Sequence, residues 1–149
     1  MKRRGFTLVE LAIVIAIRGI LALYAIPKYQ GMIDEARSGE ARAQLGTFRS
    51  ALAIYYAKNH GVFPDYNTVN SGAIFAEGTV PYVEATDQNN NVVKSNNVVP
   101  ATDGDGVVQA SEITDVGGWV YDVKTDLTQA DVRINAKGNG VNGTPWYQY

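Results

Sequence analysis

The chain has 149 residues, with 13 basic and 15 acidic side chains, a formal charge of −2, one histidine and no cysteine. That length fits one domain with a helical extension, and the missing cysteine excludes disulfides and thiol chemistry. The slightly acidic balance argues against general polyanion or nucleic-acid binding. With His60 alone, no Ser-His-Asp or Cys-His set and no phosphate loop, neither an enzyme nor a cofactor is expected.

The chain opens on Met1-Lys2-Arg3-Arg4-Gly5, continues as Phe6-Thr7-Leu8-Val9-Glu10, and then stays almost wholly apolar to Ile26-Pro27. In a secretory signal the small-residue cut site follows the apolar stretch; here Gly5 precedes it, so a cut there would retain the apolar segment. The 21 residues from Phe6 to Ile26 make about 32 Å of helix, enough to span a hydrocarbon core of roughly 30 Å. The basic leader predicts an N-in orientation. Glu10 lies in the apolar zone, where an unpaired carboxylate costs on the order of a few kcal/mol; at the helix start it also complements the macrodipole. Arg18 costs roughly 2.5–3.5 kcal/mol near mid-bilayer. It either finds a carboxylate, for which Glu10 of a neighbouring copy is the candidate, or extends its stem toward the interface.

Lys2 to Glu10, with the apolar run holding Gly19 and Pro27, resembles the N-terminus of type IV pilins and of type II secretion pseudopilins. The resemblance is strongest over Lys2–Pro27 and continues weakly to Pro64. It implies an α+β fold, a long N-terminal helix packed on a small antiparallel sheet head. It implies cleavage by prepilin peptidase between Gly5 and Phe6, N-methylation of Phe6, and polymerisation into a helical filament. Cleavage would leave a positive amine at Phe6, about one turn from its own Glu10 and within reach of a staggered neighbour's; the resemblance implies that Glu10 pairs with this amine across copies and so sets their stagger. It further implies an inner-membrane precursor, a pilus assembly machinery as partner, and a final place in an extracellular pilus. The alternatives are a periplasmic pseudopilus subunit, a minor pilin with a binding or adhesive head, and a membrane-anchored binding protein that never polymerises. Arg18 departs from the family, which usually has an aliphatic residue there, and the cysteine-free chain cannot close the C-terminal disulfide loop many pilins carry.

The expected segments are a leader over 1–5, an apolar half-helix over 6–27, an amphipathic half over 28–60 and a head over 61–149. One helix is predicted from Phe6 to Asn59, interrupted where Gly19 and Pro27 weaken it. Ala41, Leu45, Phe48, Leu52 and Tyr55 fall on one stripe, while Arg37, Glu40, Gln44 and Lys58 avoid it. Asn59-His60-Gly61 is a stop signal, with Gly61 suited to a left-handed cap.

Residues 61–115 read as loop-rich, with Gln88–Asn91 and Asn96-Asn97 as turn material. Ala73–Phe75, Val80–Val83 and Val98–Val99 are short apolar pins. Residues 116–149 hold the β-hairpin and tail: Trp119, Tyr121 and Val123 alternate with Val120, Asp122 and Lys124, and Val132, Ile134 and Ala136 alternate with Arg133 and Asn135. Gly117-Gly118-Trp119-Val120-Tyr121 resembles a stretch found in short cysteine-free pilins. In the tail, Trp146, Tyr147 and Tyr149 are expected to anchor the terminus. Asp103-Gly104-Asp105-Gly106, with Glu112 and Asp115 downstream, is a calcium-like grouping or a plain Asp-Gly turn; its spacing does not fit an EF-hand loop, while the resemblance to type II secretion major pseudopilins implies a calcium site in the C-terminal loop.

Overall fold

A computed structural model describes residues 6–140 and 143–149; the expected leader, Gly5 included, and Val141 and Asn142 of the tail lie outside them. The chain forms two compact units, one ending at Asp34 and the other beginning at Glu35. Helix α1, Leu8–Lys58, contributes to both.

In the first unit α1 has no buried face. Its apolar side chains point outward on every side, from Phe6 at 80% exposure and Leu8 at 86% to Ile26 at 57%. The expected interruption at Gly19 and Pro27 is absent from the subunit, because α1 is helical through both. Pro27 lacks an N–H to reach the carbonyl four residues back, and the ladder on either side carries the helix past the missing bond.

In the second unit the amphipathic stripe does what its spacing predicts. Ser38, Ala41, Leu45, Phe48, Ala51 and Leu52 are buried, and Tyr55 is half-buried. Phe48 packs edge-on to Phe75 at 5.0 Å and lies 5.1 Å from Trp119. The helix ends with a Gly61 N–H donating to the Tyr56 carbonyl at 3.0 Å around His60, whose φ is 56°. This is a Schellman-type bond. Its left-handed residue is thus His60, one before the expected Gly61, which also has a positive φ.

The segment read as loop-rich contains more regular structure than expected. Asp65 caps the short helix α2, Tyr66–Asn70, by accepting from the Thr68 N–H at 2.8 Å. Strands β1, Val83–Thr86, and β2, Val92–Ser95, form an antiparallel hairpin. The Asn-rich turn closes it: Asp87 Oδ1 accepts from the N–H groups of Asn89 and Asn91, both at 2.8 Å, and Asn90 is left-handed. The apolar pins at Val80, Val83 and Val98 are buried in the core.

The second sheet has the order β3–β4–β5, formed by Val98–Pro100, Trp119–Val123 and Ala130–Ile134. The predicted hairpin is β4 with β5, antiparallel, with Trp119 opposite Ile134 and Tyr121 opposite Val132. β3 joins it parallel to β4. Gly118 permits this approach: its φ is 79°, and a Cβ there would collide with the Asn97 carbonyl, which accepts from the Trp119 N–H at 2.8 Å. β4 is covered on both faces. Trp119 and Tyr121 face the main core with Phe48, Val132 and Trp146, while Val120 packs with Val108 and Ile113. Trp146 is buried and donates to Thr86 Oγ1 at 2.8 Å, and Arg42 lies 4.3 Å from the ring centre of Tyr149. The described part of the tail is therefore anchored as its aromatics suggested.

Phe48 is the helix side chain at the centre of this packing. Phe48→Ala is expected to destabilise the C-terminal unit by about 3–5 kcal/mol, read from the denaturant midpoint of the full chain in detergent.

Candidate assembly site

The site singled out by the sequence lies at the start of α1. Thr7 Oγ1 accepts from the Glu10 N–H at 3.2 Å, and the Thr7 N–H donates to Glu10 Oε2 at 2.9 Å. The Thr7 hydroxyl also reaches Oε2, at 2.8 Å. These reciprocal bonds are a capping box. The Thr-x-x-Glu spacing that signals it was legible in the sequence, where Glu10 was read as a carboxylate in need of a partner and a complement to the macrodipole but not as a capping residue. Phe6, the expected first residue of the mature chain and site of N-methylation, precedes the cap and is exposed; Gly5 lies outside the described residues.

Arg18 lies farther along the same apolar surface. It is exposed, and among the described residues no hydrogen bond or ion pair reaches it. The structure does not bring Arg18 to Glu10 within the chain. Gly19 lies beside it with nothing within 4 Å of where a Cβ would stand, so no contact among the described residues requires glycine there. Among the described residues α1 is long and apolar enough to cross a membrane, and none of the apolar stretch is buried.

The acidic grouping is rearranged relative to expectation. Asp103 and Asp105 meet Asp122 of β4, with carboxylate oxygens of all three within 4.8 Å of one another. Glu112 and Asp115 have other tasks. Glu112 accepts from the N–H groups of Thr102 at 2.6 Å and Gln109 at 2.9 Å; Asp115 accepts from those of Gln88 and Lys137. Asp122 was missed because it is seventeen residues past Asp105 at a position where simple alternation puts a side chain in solvent. Instead it is 2% exposed, and its Oδ2 accepts from the N–H groups of Gly106 at 2.7 Å and Val107 at 2.9 Å. Three carboxylates supply the hard oxygens that suit calcium. The chain also supplies its own donor, since Gln109 Nε2 lies 2.8 Å from Asp103 Oδ2 and 3.4 Å from Asp105 Oδ2.

Burial raises the Asp122 carboxyl above the ordinary aspartate value; the Gly106 and Val107 N–H groups oppose the shift and the adjacent Asp105 carboxyl reinforces it. A raised carboxyl makes its full contribution to stability below the unfolded value near 3.8 and loses it as pH rises through the folded value. Asn at this position keeps the acceptor and offers Asp105 an N–H. Asp122→Asn in a chelator-containing buffer is therefore expected to match the wild-type melting midpoint near pH 4 and to equal or exceed it at pH 7. A mutant midpoint that falls below wild type as pH rises would contradict this.

A groove of about 1200 Å³ runs between α1 at Gln44, Thr47, Ser50 and Ile54 and residues 73–82. Its lining charges are Glu40, Lys58 and Glu77, with no nucleophile–base pair.

Residues 1–26 match the prokaryotic N-terminal methylation motif family. The chain is 43% identical over 91 residues to a fimbrial protein of Neisseria meningitidis serogroup B, an alignment covering 61% of this chain and 53% of that protein. It is 42% identical over 62 residues to the type IV narrow pilus major component PilA5 of Thermus thermophilus, covering 42% of this chain and 53% of the relative. It thus spans about half the length of several curated relatives it matches. Against fimbrial protein EcpC of Eikenella corrodens it is 38% identical over 104 residues, covering 62% of this chain and 67% of that protein. No solved structure gives a significant match. An exposed apolar helix opened by a Thr7–Glu10 capping box, a small sheet packed on the later turns of that helix, and these relatives place the chain in the type IV pilin family.

Proposed function

We propose that the chain is a structural, non-enzymatic subunit, of the major-pilin type, that polymerises through its N-terminal helix into a pilus filament. The observation that carries this reading is the apolar surface of α1 before Pro27, exposed on all sides of the isolated subunit. Water is a poor environment for it: burying one Leu or Ile side chain is worth about 1.5–3 kcal/mol. Lipid covers it in the precursor, held in the inner membrane with its leader inside; equivalent helices of other copies cover it in the fibre. Prepilin peptidase removes the cationic leader after Gly5 and methylates Phe6, and an assembly machinery lifts the subunit from the bilayer. Glu10, the acid within the segment, rewards one axial offset between copies. The relatives named as fimbrial proteins and as a pilus major component support the same reading.

Mass spectrometry of surface fibres is expected to show a chain beginning at methylated Phe6. Glu10→Ala is expected to insert normally but to give less polymer per membrane-held subunit. Solitary subunits retaining Met1 as the working form would overturn the reading.

The meeting of Asp103, Asp105 and Asp122 favours a second reading, a pseudopilus subunit whose head holds calcium. Under that reading millimolar calcium raises the melting midpoint of the full chain and Asp105→Asn abolishes the rise. An unchanged midpoint leaves the pilus reading.

A further inference from the structure

We propose that in the fibre Arg18 of each copy bonds the Glu10 carboxylate of the next copy, so that one acid and one base in the apolar segment fix the stagger between parallel helices. The inference rests on the filament reading and names the contact that sets its register.

Between Phe6 and Pro27 the charged side chains are Glu10 and Arg18. Packing these segments together removes both from water, and a buried guanidinium without a carboxylate is the costliest arrangement available. Within one chain the two do not meet. Eight residues separate them, about 12 Å along the axis and about 80° around it. Each nevertheless has capacity for an outside partner. Glu10 Oε2 is held by Thr7, and among the described residues no bond reaches Oε1. Among the described residues no partner takes the Arg18 donors. Asp34, the next acid along the chain, lies about 24 Å beyond Arg18.

The new amine at Phe6 competes for Glu10, but it stands one turn from its own Glu10, beside the Thr7 N–H already bonded there, and can be satisfied within its own chain. In apolar surroundings a guanidinium–carboxylate pair gains both from low dielectric and from its directional fork. Because the acid and the base lie at different heights on the same rod, pairing them offsets each copy by about 12 Å. Each copy then presents an unused base at one end of the contact and an unused acid at the other. Such a head-to-tail contact does not close on itself, and it propagates as a fibre.

The test compares the full chain with R18E, E10R and the E10R/R18E exchange in a host that assembles the wild type. Sheared fibre per membrane-held subunit is the readout, with N-terminal mass spectra confirming cleavage. R18E is expected to lose on the order of tenfold or more of its fibre, and the exchange to recover a large part of it. Image reconstruction of wild-type fibres provides the second measurement, since E10R can fail at cleavage. Arg18 nitrogens are expected within hydrogen-bond distance of Glu10 on a neighbouring copy. Normal R18E yield, or a reconstruction with Glu10 bonded to a neighbour's Phe6 amine and Arg18 elsewhere, overturns the pairing and leaves the filament reading intact. Absence of wild-type fibres overturns both.

Discussion

The first constraint on this protein is an apolar helix that its own chain does not cover. From Phe6 to Ile26 large apolar side chains stand on every side of α1, so no single docking face exists within the subunit. From Ser38 onward the same helix has one buried stripe, and that stripe meets a sheet. The contrast lies in periodicity. A 3.6-residue pattern asks for one partner surface, and a continuous apolar run asks for surroundings that are apolar on all sides. An α-helix meets that second demand because its backbone bonds are satisfied internally, so lipid can be exchanged for protein without breaking them.

The C-terminal unit solves a different problem, holding a long irregular stretch in place without cysteine. It does so with side chains that accept from backbone N–H groups. Asn135 is fully buried and accepts from Thr114 and Asp115; Glu112 gathers Thr102 and Gln109; Asp122 gathers Gly106 and Val107. Each bond contributes about 1 kcal/mol net, but removing the acceptor leaves buried donors unpaired at about 1–3 kcal/mol each. Burial draws Glu112 upward, yet the N–H groups of Gln109 and Thr102 outweigh it and hold its carboxyl below the usual range. For Asp122 the balance falls the other way. Glu112 and Asp122 are thus shifted in opposite directions, because the donors facing each are weighed against its burial.

Much of this was legible in the sequence because it is written locally. The stripe at Ala41, Leu45, Phe48 and Leu52, the alternation at Trp119–Val123 and Val132–Ile134, and the stop at Asn59–Gly61 are each short-range patterns. What escaped is non-local. Parallel pairing of β3 with β4 leaves no turn signature, since some twenty residues intervene between Val98 and Trp119. Strands β1 and β2 span four residues each, too few for a period to stand out, although the Asn-rich turn between them was visible. Alternation along β4 suggested one wet face, but the loop carrying Val108 and Ile113 folds over Val120 and draws Asp122 inside with it. At the assembly site the residues were evident, and the Thr7 contact, though its Thr-x-x-Glu spacing was there to read, was passed over because the macrodipole already accounted for an acid at a helix start.

Gly19 and Pro27 show how a feature can be silent in the subunit and still shape its use. Neither interrupts α1, and no neighbouring atom among the described residues demands glycine at 19. Glycine in a helix interior costs about 1 kcal/mol relative to alanine, and proline removes a ladder bond as well. Isolated, the helix tolerates both, since the bonds on either side persist. The stretch between them is consequently the part of the apolar segment whose helical state is least strongly held by its own backbone. Any environment that supplies alternative partners for its carbonyls and N–H groups shifts that balance here before it does elsewhere. Arg18, adjoining Gly19, stands at the boundary: a guanidinium fixed to a neighbour would anchor the helical turns before the glycine and confine any opening to the residues after it.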